Sequence, residues 1–172
     1  MSTALIIGRF QPFHAGHLML ALEAAKEADR VIIGIGSSQE SHTGNNPFTA
    51  EERRKMITRS IEGIPRAFCL FDVPDIGDNE RWVSHVEKIV PAFDVVYTNG
   101  ELERALFARA GYRVHATGLF NRDKYSGTEI RRRIRAGERW RHLVPAGTLE
   151  VLGEIQGIER IRSLKKEQSP SS

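Results

Sequence analysis

The stretch "ALIIGRFQPFHAGH", Ala4 to His17, decides the fold. Its first four residues are a short apolar run of the kind that forms a buried strand, and Gly8 opens the turn that follows. Beyond the turn, "GHLMLALEAAKEA" places Leu18, Ala21, Leu22 and Ala25 at helical spacing. Strand, glycine-bearing turn and amphipathic helix together make the opening unit of an α/β sheet.

Working outward, the same alternation recurs. "VIIGI" (Val31 to Ile35), "AFCLF" (Ala67 to Phe71), "DVVY" (Asp94 to Tyr97) and "RVHA" (Arg113 to Ala116) read as further buried parallel strands. Between them, "TAEERRKMITRSI" opens on a capping box of Thr49 and Glu52, and "NERWVSHVEKIV" keeps Trp82, Val83, Val86, Ile89 and Val90 in helical period until Pro91 closes it. "ELERALFARA" suits a fourth helix. The expectation is a doubly wound, Rossmann-like α/β fold: a five-stranded parallel sheet with helices on both faces. The last third is helical. "SGTEIRRRIRAGERW" has Ser126 as N-cap, Glu129 at the capping-box position, Ile130 and Ile134 four apart and Gly137 as a stop, and one more helix is expected from about Thr148 to Leu164. Residues 1–164 read as a single domain, and 165–172, a polar end without an apolar face, as a disordered tail.

Composition narrows the class. With 172 residues, 40% hydrophobic and 27% charged, the chain is an ordinary soluble globular protein long enough to bury a core. Its net charge is only +3, from 25 basic and 22 acidic residues, so the pI of 9.2 overstates its cationic character at neutral pH. That bias suits an anionic small ligand without requiring nucleic acid. Cys69 is the only cysteine, sits inside "AFCLF", and reads as a small buried hydrophobe. No run approaches the ~18 apolar residues of a membrane span and no signal-like segment opens the chain, so a cytoplasmic location is expected.

In an open α/β sheet, ligands collect at the carboxyl ends of the strands, where strand order reverses. The turn "GRFQPFHAGH" lies at that edge. Gly8 and Gly16 permit close backbone approach, and the helix start supplies unpaired N–H groups to an anion. His14 and His17, three apart, can project to one side, and Arg9 shares the turn; together they suit a phosphate. A metal would need a third side-chain ligand, and none is near in sequence. A base-activated nucleophile would need a serine, threonine or cysteine within the turn, which has none. Surface histidines that merely cap a helix remain the plain alternative.

The turn "GRFQPFHAGH" resembles that of the HxGH nucleotidyltransferases, and in this form the archaeal-type nicotinamide mononucleotide (NMN) adenylyltransferases. "YSGTEIR", Tyr125 to Arg131, is similar to the family's second motif, (Ile or Thr)-Ser-x-Thr-x-x-Arg, with Tyr125 in place of the usual first residue. Ser126 and Thr128 offer hydroxyls and helix N–H groups to phosphate oxygens, and Arg131 a fork that grips two of them. "SSQESHTGNNPFTAEER" resembles the family segment that approaches the mononucleotide, which implies Ser38 and Gln39 beside it and Arg53 facing its phosphate. Trp82 matches the family tryptophan that stacks on the nicotinamide ring, a suitable partner for a cationic pyridinium.

The resemblance implies transfer of the AMP moiety of ATP to NMN, giving NAD and pyrophosphate, with Mg2+ carried mainly by ATP and nicotinate mononucleotide as a second possible acceptor. It implies catalytic roles for Arg9, His14, His17 and Arg131, and a phosphate site completed by Gly8, Phe10, Gly16, Ser126 and Thr128. Adenine is expected near "TGLFNRDKYSG", in the vicinity of Gly118, Phe120, Asn121 and Arg122. A homo-oligomer, often a hexamer in the family, is expected, with the apolar faces of the C-terminal helices available for it. Rival readings are another HxGH enzyme acting on phosphopantetheine or flavin mononucleotide, a nucleic-acid module built on "RRRIRAGERWR", and a nucleotide sensor without catalysis.

Overall fold

The computed structural model describes residues 1–116 and 125–165. Strands β1 (Thr3–Gly8), β2 (Arg30–Gly36), β3 (Ala67–Val73), β4 (Val95–Tyr97) and β5 (Arg113–His115) alternate with helices α1 (Ala15–Glu27), α2 (Ala50–Ile61), α3 (Asn79–Ile89) and α4 (Glu101–Arg109). Helices α5 (Gly127–Ala136), α6 (Ala146–Glu154) and α7 (Gly157–Ser163) follow, with a short 3-10 turn at Arg141–Leu143. All strand pairs are parallel and the order is β3-β2-β1-β4-β5, so strand order reverses between β1 and β4. The five-stranded α/β sheet is therefore the one the alternation of elements predicts.

Two apolar clusters flank the sheet. One joins Ile6, Val31 and Ile33 to α1, α2 and the C-terminal helices through residues such as Leu20, Met56, Ile130, Ile134 and Leu152. The other holds Leu5, Ile7 and Ile32 against Val86, Val90 and Phe107, with Trp82 and Val83 packed at its margin. Strand alternation explains the split: Ile6 faces one side of the pleat, Leu5 and Ile7 the other.

Local signals account for the helix ends. Thr49 and Glu52 form the expected capping box, each accepting the other's backbone N–H, at 3.1 and 2.9 Å. Ser126 caps α5, and Gly137 ends it in the left-handed region at φ 72°. Glu129 does not return to the cap; its carboxylate is held by Arg132 and Arg133, which pull its pKa down to about 2.

Four expectations need correction. On α1 the buried positions are Leu20, Ala21, Ala24 and Ala25, while Leu22 is 41% exposed, because the helix is rotated relative to the face its periodicity suggests. The "AFCLF" strand lies at the sheet edge, so Cys69 is exposed rather than buried. The single helix expected over 148–164 is two: Gln156 adopts the left-handed region at φ 54°, breaking it between α6 and α7. The break lets Val151, Leu152 and Ile161 all enter the core, so these apolar residues of the C-terminal helices are covered within the chain rather than left free for an oligomer.

Candidate active site

The turn after β1 is built before any ligand arrives. Phe10 sits at φ 57°, a left-handed conformation costing a side-chain-bearing residue about 1 kcal/mol. Burial of its ring offsets that cost: it packs edge-on against His17, with ring centroids 4.7 Å apart, and near Phe13 at 5.7 Å. Gln11 fixes the turn from the other side. Its buried amide donates to the Phe48 carbonyl at 3.0 Å and accepts from the Phe48 N–H at 2.9 Å, so the loop before α2 is tied to the loop after β1.

His14 and His17 are the first-turn capping pair of α1. His14 Nδ1 accepts from the Gly16 N–H, and His17 Nδ1 accepts from the His14 N–H, both at 3.1 Å. The two rings stack with centroids 3.6 Å apart at 23°. Because both Nδ1 atoms accept, the proton of each neutral ring belongs on Nε2. Burial, reinforced by the Arg131 charge, pulls the His14 pKa down to about 3, and burial with the neighbouring His14 pulls His17 well below its usual value. His14 is almost fully buried and His17 half-buried, so at neutral pH both rings present uncharged N–H donors.

Arg131 brings the second motif to the first. Its guanidinium is buried, donates to the Gln11 carbonyl at 2.6 Å, and reaches the Thr128 hydroxyl at 3.4 Å. Gly127 makes that approach possible: a Cβ there would lie 2.7 Å from Arg131 Nη1 and 2.9 Å from the Gln11 carbonyl oxygen. The Ser126 hydroxyl accepts from the Glu129 N–H at 3.1 Å, which leaves its own proton available to donate. Thr128 is exposed at the rim, and Arg9 is exposed with its Nη1 3.4 Å from Asn46 Oδ1.

These groups surround one cavity of about 270 Å³ at the carboxyl ends of β1 and β4. Gly8, Arg9, Phe10, His14, His17, Ser126, Thr128 and Arg131 all line it, and Gly16 lies directly beneath the His14 ring. Sequence reading missed Gln11, Thr98, Asn99, Gly100, Glu103 and Gly127. The Gly-Glu pair at the start of α4 carried no signal of its own; only the position of β4 beside β1 brings it to the cavity.

The expected acceptor residues lie apart. Ser38, Gln39, Arg53 and Trp82 do not line that cavity; they sit on the β2–β3 side. Arg53 corrects its expectation. It is wholly buried and its N–H groups meet five main-chain carbonyls, those of Thr49, Arg9, Gly36, Ser37 and Glu40, at 2.8 to 3.3 Å. A phosphate could engage it only by displacing these. Desolvation lowers its pKa to about 10, so it remains charged. Gln39 exchanges hydrogen bonds with Asp75, each 3.0 Å, and the Ser38 N–H donates to the Val73 carbonyl at 3.3 Å, joining the loops after β2 and β3. Trp82 is half-buried on α3, its ring tilted 37° to that of His85 at 5.6 Å. Gly118, Phe120, Asn121 and Arg122 lie outside the described residues.

Four further arginines are committed to the protein itself. Arg132 pairs with Glu129 and Glu138, Arg133 with Glu129, Arg160 with Glu52, and Arg135 donates to the Gly44 carbonyl. Among the described residues no group of three or more His, Cys, Asp or Glu side chains could hold a metal, and no helix is long and apolar enough to cross a membrane.

The chain is similar to known proteins over most of its length. The Cytidylyltransferase-like family pattern matches residues 5–133. Nicotinamide-nucleotide adenylyltransferases of Methanococcus aeolicus and Methanosarcina barkeri are 49% and 45% identical, covering 94% and 100% of this chain and 94% and 99% of their own length. That of Thermoplasma acidophilum is 50% identical over 94% of this chain and 90% of its own. Among solved structures, a bifunctional NMN adenylyltransferase/ADP ribose pyrophosphatase from Francisella tularensis superposes with a TM-score of 0.75 at 20% identity. The match covers 94% of this chain and 52% of that one, and the same protein with AMP and a manganese ion gives 0.73. At that identity the likeness speaks for the fold alone. Near-end-to-end identity to three archaeal enzymes goes further, and the chain belongs to the nicotinamide-nucleotide adenylyltransferase family, within the Cytidylyltransferase-like group.

Proposed function

We propose that the chain transfers the AMP moiety of ATP to NMN, forming NAD and pyrophosphate. The observation that carries this reading is the meeting of His14, His17 and Arg131 around one cavity at the strand-order reversal. An oxygen of the NMN phosphate attacks the α-phosphorus of ATP, the bond from that phosphorus to the β-bridging oxygen breaks, and pyrophosphate leaves with those electrons. A phosphate monoester with a second pKa near 6 is already ionised at neutral pH, so the step needs no general base. Alignment and charge neutralisation remain for the protein to supply.

The His17 Nε2–H donates to the α-phosphate as charge builds on it, and His14 with Arg9 holds the bridging and terminal phosphates. Arg131 and the Ser126 hydroxyl grip the β- and γ-phosphates, with Thr128 at the rim. Each neutral ring keeps one preorganised donor, its Nε2–H, for charge that develops on the phosphates. Mg2+ would arrive with ATP and would offset phosphate charge beside Arg9, His14 and Arg131. NMN occupies the β2–β3 side near Ser38 and Gln39, its pyridinium against Trp82, and nicotinate mononucleotide is a second acceptor. Arg53 acts there through the loops it holds. Adenine falls to the segment containing Gly118, Phe120, Asn121 and Arg122. Exposed Met19 and Leu22 offer apolar surface for a homo-oligomer, a hexamer in this reading, and sedimentation tests it. An unpaired, exposed Cys69 thiol and dependence on ATP fit the cytoplasm.

Substituting His17→Ala tests the assignment. Turnover falls about 10²-fold or more with KM for NMN little changed; near-normal turnover refutes the role of His17.

A further inference from the structure

Gln11 joins two parts of the site that the chemistry uses separately. It is buried, and its side chain pairs with the main chain of Phe48 through one hydrogen bond donated and one accepted. That pairing fixes the orientation of the amide, because a flipped side chain would set donor against donor and acceptor against acceptor. The main-chain carbonyl of Gln11 accepts from Arg131 Nη1 at 2.6 Å. Phe48 closes the loop that follows β2, carries Ser38 and Gln39, and leads into the Thr49 cap of α2. The side chain of one residue therefore holds the acceptor loop, and its carbonyl holds the arginine assigned to the donor phosphates.

The turn after β1 needs such a brace. Phe10, next to Gln11, holds a left-handed conformation that persists only where the surroundings enforce it. Different helices take the carbonyls of this turn: Arg53 of α2 donates to that of Arg9, Arg131 of α5 to that of Gln11, and Thr148 of α6 to that of Phe13. Removing the amide would leave the Gln11 carbonyl placed by its own main chain alone, and Arg131 would follow it. The start of α5 lies too close to move independently, since a Cβ at Gly127 would fall 2.9 Å from the Gln11 carbonyl oxygen. In-line transfer is sensitive to such displacement: a misplacement of about 1 Å can cost about 10²-fold in rate.

We propose that Gln11 is a positioning residue for the transfer: anchored on Phe48, it sets Arg131 against the donor phosphates in register with the acceptor loop. The inference rests on the adenylyl-transfer reading, because it takes ATP and NMN as the two ligands brought together.

The test is a double-mutant cycle on the full chain: unsubstituted, Gln11→Met, Arg131→Ala and the two combined. Each protein is measured for kcat and KM with ATP, NMN and Mg2+, for thermal melting, and for calorimetric binding of α,β-methylene-ATP. Methionine keeps the length of glutamine and makes neither bond to Phe48. Gln11→Glu, which still accepts from the Phe48 N–H, is run beside it and carries the cycle if Gln11→Met does not fold. Gln11→Met should lower kcat about 10-fold or more and weaken the analogue, with Gln11→Glu intermediate. In the Arg131→Ala background the same substitution should cost less than about twofold, because the group it positions is gone. The proposal is overturned if the Gln11 variants melt lower with kcat unchanged, or if their loss is as large without Arg131 as with it. Should NMN give no turnover, the cycle is read from binding of the analogue. Non-additive loss then upholds the link from Gln11 to Arg131 without adenylyl transfer, additive loss overturns it, and absence of binding removes both readings.

Discussion

Acidification should destabilise this protein through His14 in a measurable and separable way. Folding lowers the His14 pKa from 6.5 to about 3, chiefly by burial. Between those values the unfolded chain binds more protons than the folded one, so stability is complete above the unfolded pKa and is lost as pH falls toward the folded one. Each pH unit inside that window is worth about 1.4 kcal/mol for one such group. Moving from about pH 7.5 to about pH 5 therefore removes ~2 kcal/mol through His14 alone. Carboxylates with lowered pKa, Glu52 and Glu129 among them, add a loss of the same sign at lower pH, so the comparison must isolate the ring. His14→Asn does so: asparagine is a good N-cap and does not titrate. Urea unfolding of both proteins at the two pH values should show the unsubstituted chain losing ~2 kcal/mol more than the variant. Equal losses in the two proteins would refute the claim that His14 is buried and neutral, and with it the assignment of its Nε2 proton.

Arg53→Lys removes a planar five-donor fork from five carbonyls that three ammonium donors cannot all reach; we expect a loss of ~2–4 kcal/mol in urea unfolding, with KM for NMN raised more than kcat is lowered. Unchanged stability would mean the carbonyls do not depend on it. Gly127→Ala places a methyl 2.7 Å from Arg131 Nη1 and 2.9 Å from the Gln11 carbonyl oxygen, so turnover should fall about 10²-fold and the melting temperature should drop as well; a fully active variant would show that Arg131 need not occupy its observed position.

The sheet and the turn after β1 were legible because their signals are local. Short apolar strands alternate with helical patterns, and Ser126, Thr49 and Gly137 are residues whose own chemistry marks a helix end. The joining of Arg131 to the histidines was legible only through the resemblance, since Gln11, whose carbonyl docks it, is 120 positions away. Arg53 was misread for a physical reason: an arginine that serves a ligand and one that serves five carbonyls look the same in sequence, and only burial separates them. Cys69 and Leu22 were misplaced because periodicity reports that a face is apolar, not whether a neighbour covers it. Glu103 was invisible because nothing in "GELERA" says that β4 lies beside β1.

The most direct test of the central claim is product analysis by mass with ATP and Mg2+, run in parallel with NMN, nicotinate mononucleotide, phosphopantetheine and flavin mononucleotide. The account predicts NAD and stoichiometric pyrophosphate from NMN. Turnover confined to phosphopantetheine or flavin mononucleotide would keep the phosphate chemistry and contradict the acceptor, and silence with all four would contradict adenylyl transfer itself.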